Sequence, residues 1–268
     1  MIEVRRPAPD GKLLASLHDR TRRLGQAPTT ESARAEWRQA KAVRRDVRRL
    51  LETAAPGMAR CMYCGDSQGT DVDHFEPLKR APGRAFDWLN HLLACSYCNS
   101  NKKRDRFPCD EHGGPLLIDP TAEAPYDHLR LTFSTGHYVA LSAKGAATIA
   151  VFGLGRPALE RGRAAAFVRC RSMLRDCAAL LNGGDAAGAG EVRNALLVQP
   201  FADVLHGMLR HAHRPGAAVV FGAEVVGILK RWHTMAPGAS AALPGARHGG
   251  DAGVAGGRAA AGEVRPPR

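Results

Sequence analysis

The sequence predicts an α+β protein that is mainly helical, and three observations support this fold class. Apolar residues recur at three- and four-residue steps in two long stretches, from about Thr30 to Thr53 and from Pro157 to Leu181. Two short stretches on either side of Ser134-Thr135-Gly136 alternate apolar and polar residues, which is typical of a β-hairpin. Two Cys-x-x-Cys pairs, separated by 30 residues, indicate a small unit that is held together by a metal ion.

The net charge of the chain indicates which class of binding partner to expect. The 268 residues carry a formal net charge of +12, which favours a polyanionic partner such as nucleic acid or an anionic membrane surface. An arginine-rich composition without functional meaning would give the same charge. Because the first 14 residues lack the features of a signal peptide and no window is long and apolar enough to span a membrane, we expect a cytoplasmic protein with no membrane partner. In that compartment, paired cysteines are expected to bind metal rather than to form disulfides.

The N-terminal quarter is expected to consist of an arm and one helix. Residues 1–28 are basic and interrupted by Pro and Gly, so they predict an extended arm with little structure of its own. Residues 29–56 predict an amphipathic helix that Thr30 could cap and that Pro56-Gly57 ends. Its apolar stripe includes Trp37 and Val47. The opposite face is basic, and it either faces solvent or contacts phosphates; its residues are Arg38, Lys41, Arg45, Arg48 and Arg49.

The remainder of the chain divides around a region rich in motifs, residues 57–108. Residues 109–182 predict the hairpin, Leu129–Phe133 with His137–Leu141, and then a helix that begins at Pro157. Cys170 and Cys177 lie at helical spacing on its apolar face and are expected to pack in the core. A flexible break opens residues 183–236, a helical extension, and residues 237–268 are poor in large apolar residues and are expected to be disordered.

The four paired cysteines predict a closed metal site. Each pair, Cys61 with Cys64 and Cys95 with Cys98, can turn two thiolates onto one ion, and together they complete a tetrahedral shell. Zinc is the expected metal because it has no redox chemistry, although the spacing alone also permits iron. A closed shell leaves no position for water or substrate, so the expected role is structural.

A second group of polar residues lies between and just after the cysteine pairs. It includes Asp73, His74 and Asn99. A carboxylate and an amide oxygen are ligands for a hard cation such as Mg²⁺, and a neutral imidazole can take a proton from water at physiological pH. Each residue is weak evidence alone; their value comes from their fixed positions relative to the cysteines.

The pattern Cys61-x-x-Cys64, Asp73-His74, Asn90, Cys95-x-x-Cys98-Asn99-x-x-Lys102 resembles the HNH endonucleases that have a zinc-stapled ββα-metal core. The resemblance implies that His74 is the general base, that Asp73 and Asn99 hold a catalytic Mg²⁺ or Mn²⁺, and that Asn90 orients the loop that bears His74. Asn99 replaces the histidine that often forms the third letter of the motif. Asn101 is a rival for that role, but Asn99 has the family's spacing to Lys102.

The flanking residues also resemble a narrower group, bacterial HNH proteins of antiphage systems. These include the nuclease subunit of Septu, which works beside an ATPase, and nucleases that accompany some retrons; the likeness runs from about Cys61 to Leu181. It implies an ATPase partner and phosphodiester hydrolysis, with DNA preferred to RNA as the target. Glu76 departs from the basic or neutral residue that is expected at its position. Four basic residues after the second pair are expected to neutralise phosphates, namely Lys102, Lys103, Arg104 and Arg106.

Two other functions fit much of the same sequence. A zinc-binding module that only binds nucleic acid would carry the same cysteines and charge, and a subunit that scaffolds a partner could use the helices after Pro157. The complete set of Asp73-His74, Asn90 and Asn99 favours a nuclease, because a pure binding module has no use for it. The helices after Pro157 either bind another protein or simply complete the core of this chain.

Overall fold

The computed structural model describes residues 1–232, so the predicted disordered tail lies outside the described residues. The fold is mainly helical with two small antiparallel hairpins, as the sequence predicts. The helices are α1 (Gly11–Leu24), α2 (Thr30–Gln39), α3 (Lys41–Ala54), the single turn α4 (Pro56–Ala59), α5 (Ala143–Phe152), α6 (Pro157–Asn182), α7 (Ala186–Val198), α8 (Ala202–His211), α9 (Ala217–Phe221) and α10 (Ala223–Arg231). The strands are β1 (Asp71–His74), β2 (His91–Ala94), β3 (Leu129–Thr132) and β4 (His137–Ala140).

The first hairpin and the helix that follows it contribute buried residues to the hydrophobic core. Strands β1 and β2 pair antiparallel with Asp73 opposite Leu92 and His74 opposite His91. All four residues of β2 are buried, which anchors the hairpin in the core. A short π-helix, Tyr97–Lys103, follows β2 and completes a ββα arrangement.

The N-terminal segment is more ordered than the sequence suggested. We expected residues 1–28 to be an arm with little structure, but Gly11–Leu24 forms helix α1, whose first turn is capped by the Asp10 carboxylate. Leu13 and Leu17 are buried at a four-residue spacing, and this short apolar stripe packs the helix against α2 and α3. The prediction was wrong because charged residues dominate the sequence pattern of this segment and hide its few apolar ones. In the folded protein, those few apolar residues are enough to hold the helix, because most helical stability comes from tertiary packing.

The predicted N-terminal helix is two helices. Its backbone breaks at Ala40, so α2 ends at Gln39 and α3 begins at Lys41. The cap of α2 is Thr29, one residue earlier than expected, and its hydroxyl accepts from the Ser32 amide. The apolar stripe is nevertheless buried as predicted, because the break keeps the apolar sides of both helices on the core; it includes Trp37, Ala40, Val43, Val47 and Leu51.

The second hairpin and the long helix confirm the sequence pattern. Strands β3 and β4 pair with Thr132 opposite His137, and α6 begins at Pro157. Cys170 and Cys177 are fully buried, which confirms that they pack in the core. Helix α6 is itself covered by α7 and α10.

Helix α7 begins within the stretch that was expected to be a flexible break. Asp185 caps α7 by accepting from the Gly188 amide, so the predicted flexible break shrinks to a short turn before it. Pro200 lies between α7 and α8, and Gly222 separates α9 from α10. One hydrophobic core connects the N-terminal segment, the first hairpin and these helices, while the proposed domain boundaries stay predictions. Within residues 1–232, no helix is both long and apolar enough to cross a membrane.

Candidate active site

The four paired cysteines converge at the end of the first hairpin. Their sulfur atoms all lie within 4.8 Å of one another, and all four residues are buried. Cys64 Sγ and Cys95 Sγ are 3.9 Å apart, close to the separation of about 3.8 Å that a tetrahedral zinc site with bonds of about 2.3 Å requires. Gly65 follows the first pair with a φ of 67°, a left-handed conformation that lets the chain turn tightly behind it. The donor set and its spacing therefore fit a structural zinc ion.

Asp73 lies at the centre of a buried polar network. Its Oδ1 accepts from the Lys103 ammonium at 3.0 Å, and its Oδ2 accepts from the Tyr63 hydroxyl at 2.5 Å. The Lys103 ammonium also donates to the carbonyl oxygen of His74 at 2.6 Å. Burial is the main cause that raises the pKa of Tyr63 well above its usual value, so its hydroxyl is a donor at neutral pH.

The location of Lys103 corrects the prediction that this residue contacts phosphates. Its side chain has no exposed surface, whereas a phosphate contact needs an accessible ammonium. The π-helix accounts for the difference, because its wider turn, which includes a bond from the Arg104 amide to the Asn99 carbonyl, directs Lys103 toward Asp73. Tyr63 completes this network and was not identified from the sequence.

His74 is held by its neighbours at one ring nitrogen. Its Nε2 lies 3.0 Å from the carbonyl oxygen of Ala85, and the ring packs on the edge of Trp37 with centroids 4.7 Å apart. A carbonyl accepts only, so it holds a proton on Nε2 and leaves Nδ1 as the acceptor. Burial lowers the pKa of His74 to about 4, so the ring is neutral at physiological pH. His91 donates to the same carbonyl from its own Nε2 at 2.9 Å, a second contact that the sequence did not reveal.

Asn90 fastens the loop between the two strands. Its side chain is fully buried, and its Oδ1 accepts from the Glu76 amide at 2.7 Å. Its Nδ2 donates to the carbonyl oxygens of Glu76 and Arg84, at 3.0 Å and 3.2 Å. Glu76 in turn pairs with Arg80 and Arg84, which places its unexpected carboxylate in a surface ion-pair network. These bonds fix the loop that leads from His74 to Ala85.

Asn99 lies where two open grooves meet. The first groove, of about 430 Å³, is lined by Asp73, His74, Asn99 and Arg104 among others, and we call it the catalytic groove. Asn99 Nδ2 lies 3.4 Å from Asp71 Oδ2, a weak contact that leaves the amide oxygen of Asn99 free to serve as a ligand. Asn101 is exposed and lines neither groove.

The basic residues after the second cysteine pair have different environments. Arg104 is exposed and lines the catalytic groove. Lys102 is half-buried with its ammonium 5.7 Å from the centre of the Tyr97 ring, and Arg106 donates to the carbonyl oxygen of Val151 at 3.0 Å. Of the four residues predicted to contact phosphates, Arg104 is therefore the one that lines the catalytic groove.

The second groove, of about 550 Å³, brings residues to the site that the sequence did not assign to it. One side is formed by α3, and the other by β1 and the start of the π-helix. We call it the basic groove because four cations line it: Lys41, Arg44, Arg45 and Arg48. The basic face of α3 is visible in the sequence, but its proximity to Asn99 is not.

The donor set at the junction fits a hard divalent ion. Asn99 and Asp73 both line the catalytic groove, and Asp71 places a second carboxylate beside Asn99. Both oxygens of the buried Asp73 carboxylate already accept hydrogen bonds, from Lys103 and Tyr63, so an ion that binds Asp73 must compete with these donors. Mg²⁺ is commonly held by one or two carboxylates together with waters and substrate phosphates. The Lys103 ammonium partly neutralises Asp73, so Asp71 is the less compensated of the two carboxylates.

Comparison with known protein families finds one match. The HNH endonuclease family model matches residues 61–105, which span the four cysteines, the hairpin and the π-helix. No curated protein matches the chain, and no solved structure matches it. The match covers the site but not the flanking helices.

Proposed function

We propose that this chain is an HNH endonuclease that hydrolyses phosphodiester bonds in nucleic acid, with His74 as the general base. The observation that carries the proposal is the position of His74, whose Nε2 is held by the Ala85 carbonyl while the ring lines a groove with Asp73 and Asn99. The family match over residues 61–105 supports the same reaction class.

The chain's own residues supply the positions that hydrolysis needs. His74 Nδ1 takes a proton from water, the resulting hydroxide attacks phosphorus, and the bond from phosphorus to the leaving 3′-oxygen breaks. Asp73 and Asn99 would hold Mg²⁺ or Mn²⁺, and Asp71 is placed to assist them. When bound, the ion supplies electrostatic stabilisation of the charge that develops on the phosphate and on the leaving oxygen. The side-chain hydrogen bonds of Asn90 hold the loop that follows His74 in place beside β2.

The experiment that tests this function distinguishes loss of the general base from loss of folding. Purified protein is incubated with plasmid DNA, linear DNA and tRNA, with and without Mg²⁺ or Mn²⁺. We expect His74→Ala to lower cleavage at least about 10²-fold while zinc content and nucleic-acid binding persist. His112→Ala is the matched control, since the His112 side chain is 85% exposed and lies outside both grooves. Equal cleavage by His74→Ala and the parent would exclude His74 as the base.

A second candidate function is a zinc-containing subunit that binds nucleic acid, or scaffolds a partner, without cleaving. The ion pair between Lys103 and Asp73 favours it, because a buried cation beside the carboxylate opposes binding of a second cation. The same incubation decides between the two functions. Binding without cleavage of DNA or RNA under any metal condition would establish the second.

We further propose that the nuclease acts in antiphage defence beside an ATPase partner, in the cytoplasm, with DNA as its preferred target. The support for this role is the resemblance of residues 61–181. The helices after Pro157 do not add to that support, since α6 is covered by α7 and α10 of the same chain. We expect an ATPase to co-purify with the protein from its native host and His74→Ala to abolish phage resistance. A monomer that cleaves DNA alone and leaves phage growth unchanged would refute the role.

A further inference from the structure

We infer that the basic groove is a track for the phosphate backbone of double-stranded nucleic acid, which it delivers to the catalytic groove. This inference rests on the proposed nuclease function and adds a binding site formed by α3, a helix outside the region that the HNH model matches.

The first support is continuity between the two grooves. Both are lined by Trp37, Val72, Asn99 and Ser100, so the basic groove opens directly onto the site that holds Asp73 and His74. A polymer bound along α3 therefore reaches Asn99 without leaving the surface. A small substrate would not need so long an approach.

The second support is the placement of charge along α3. Lys41, Arg45 and Arg48 are exposed and recur at three- and four-residue steps, so they lie on one side of the helix. The seven-residue step from Lys41 to Arg48 covers about 10 Å along the helix axis, at about 1.5 Å per residue. Along the duplex axis, one strand of DNA advances about 3.4 Å per nucleotide, so a duplex that lies parallel to α3 passes about three nucleotide steps over this length.

The neighbouring acids do not cancel these charges. Arg48 pairs with Glu52 at 3.2 Å and Arg45 with Asp46 at 3.1 Å, and both arginines remain about half exposed. Surface pairs of this kind contribute little free energy, so a phosphate can replace the carboxylate partner. Arg44 has a second role, because its guanidinium lies 5.7 Å from the centre of the Trp37 ring.

The basic groove has no accessible aromatic ring among the described residues on which an unpaired base could stack, which favours binding of a duplex over a single strand. Proteins that bind single strands without sequence preference combine basic grooves with accessible aromatic rings. Trp37 is the one aromatic residue that lines the basic groove in the described chain, and it is 9% exposed and packed against His74, Phe86 and His91. The groove therefore offers charge to a backbone and no free ring to an unpaired base.

The test compares two triple variants of equal charge change. Lys41→Gln/Arg45→Gln/Arg48→Gln removes three cations from the basic groove, and Arg22→Gln/Arg23→Gln/Arg49→Gln removes three exposed cations that do not line it. Binding to a labelled 20-base-pair DNA duplex, and to one of its strands alone, is measured by fluorescence anisotropy across a salt series without added divalent ion. Arg45→Gln alone serves as a second groove variant if the triple variant does not fold.

We expect the groove variant to bind roughly 10²-fold more weakly at 0.1 M salt, with a slope of log affinity against log salt that is smaller by about 2.7. The control should change the slope by less than about 1. For the single variant, the expected change in slope is about 0.9. Equal affinity and slope in the groove and control variants, or tighter binding of the single strand than of the duplex, would overturn the inference.

The outcomes also separate this inference from the proposed nuclease. If the parent protein binds the duplex through the groove but cleaves no nucleic acid, the phosphate track is supported and the nuclease function is refuted. If the parent protein cleaves nucleic acid and the groove variant binds and cleaves equally well, the nuclease function is supported and the phosphate track is refuted.

Discussion

Substitution of Lys103 by methionine tests the buried network at the centre of the site. Methionine has a side chain of similar length and no charge, so Lys103→Met removes the ammonium with little change in volume. In the folded protein, the Asp73 carboxylate then loses its cation and keeps the Tyr63 hydroxyl. The carbonyl oxygen of His74 loses the bond that Lys103 donates at 2.6 Å.

The magnitude follows from the burial of this pair. The Lys103 side chain is 0% exposed and the Asp73 side chain 3%, so neither charge is screened by solvent. Removing one partner of a buried pair typically costs about 3–5 kcal/mol, because an uncompensated charge stays behind. For a chain of this size, a loss of about 1 kcal/mol lowers the melting temperature by about 2–4 °C. We therefore expect Lys103→Met to melt roughly 6–20 °C below the parent.

The assay is thermal unfolding with the zinc content measured in parallel, and Lys102→Met is the matched control. Lys102 is the same residue type one position earlier and is half-buried against Tyr97, so its substitution should change the melting temperature by only a few degrees. If Lys103 contacts phosphates instead, Lys103→Met will melt like the parent and lose about 0.9 in the salt slope of DNA binding. That result would refute the buried network.

The remaining predictions concern the two metal sites. Cys98→Ser should lose the single zinc ion expected per chain and unfold the cysteine-stapled region, because a structural zinc contributes more than about 10 kcal/mol; elemental analysis and circular dichroism measure this, and Cys109→Ser, outside the cluster, should keep its zinc. Asn99→Ala should weaken Mn²⁺ binding in calorimetry and raise the Mg²⁺ concentration needed for cleavage, whereas Asn101→Ala should do neither, since Asn101 lines neither groove. The reverse order of the two asparagines would transfer the ligand role to Asn101.

The parts of the site that could be predicted from sequence are those set by short spacing. Two thiolates three positions apart can reach one ion in almost any fold that contains them, and the structure does bring Cys61, Cys64, Cys95 and Cys98 together. The burial of Cys170 and Cys177 followed from helical periodicity in the same way. Local geometry is sufficient within each Cys-x-x-Cys pair and along one face of a helix, whereas the meeting of the two cysteine pairs depends on the pairing of β1 with β2.

Other features depended on packing between distant segments. The N-terminal segment forms a helix because the buried residues Leu13 and Leu17 pack it against α2 and α3. The local sequence pattern does not show that this packing surface exists. Arg6 likewise crosses the chain to donate to the carbonyl oxygens of Trp88 and His91. Contacts of this range depend on how whole elements pack, which a local pattern does not encode.

The sequence by itself indicated the chemistry that we propose for this protein, and the tertiary structure decided which of the candidate residues lie at the site. The residue types and spacings of Asp73, His74 and Asn99 indicated a hard-metal site beside a base. The phase of the π-helix then placed Lys103 inside the core and Arg104 at the groove, because a side chain's direction depends on the turn of the helix that carries it. The packing of α3 across the hairpin brought a basic helix face to Asn99, some 50 residues away in sequence.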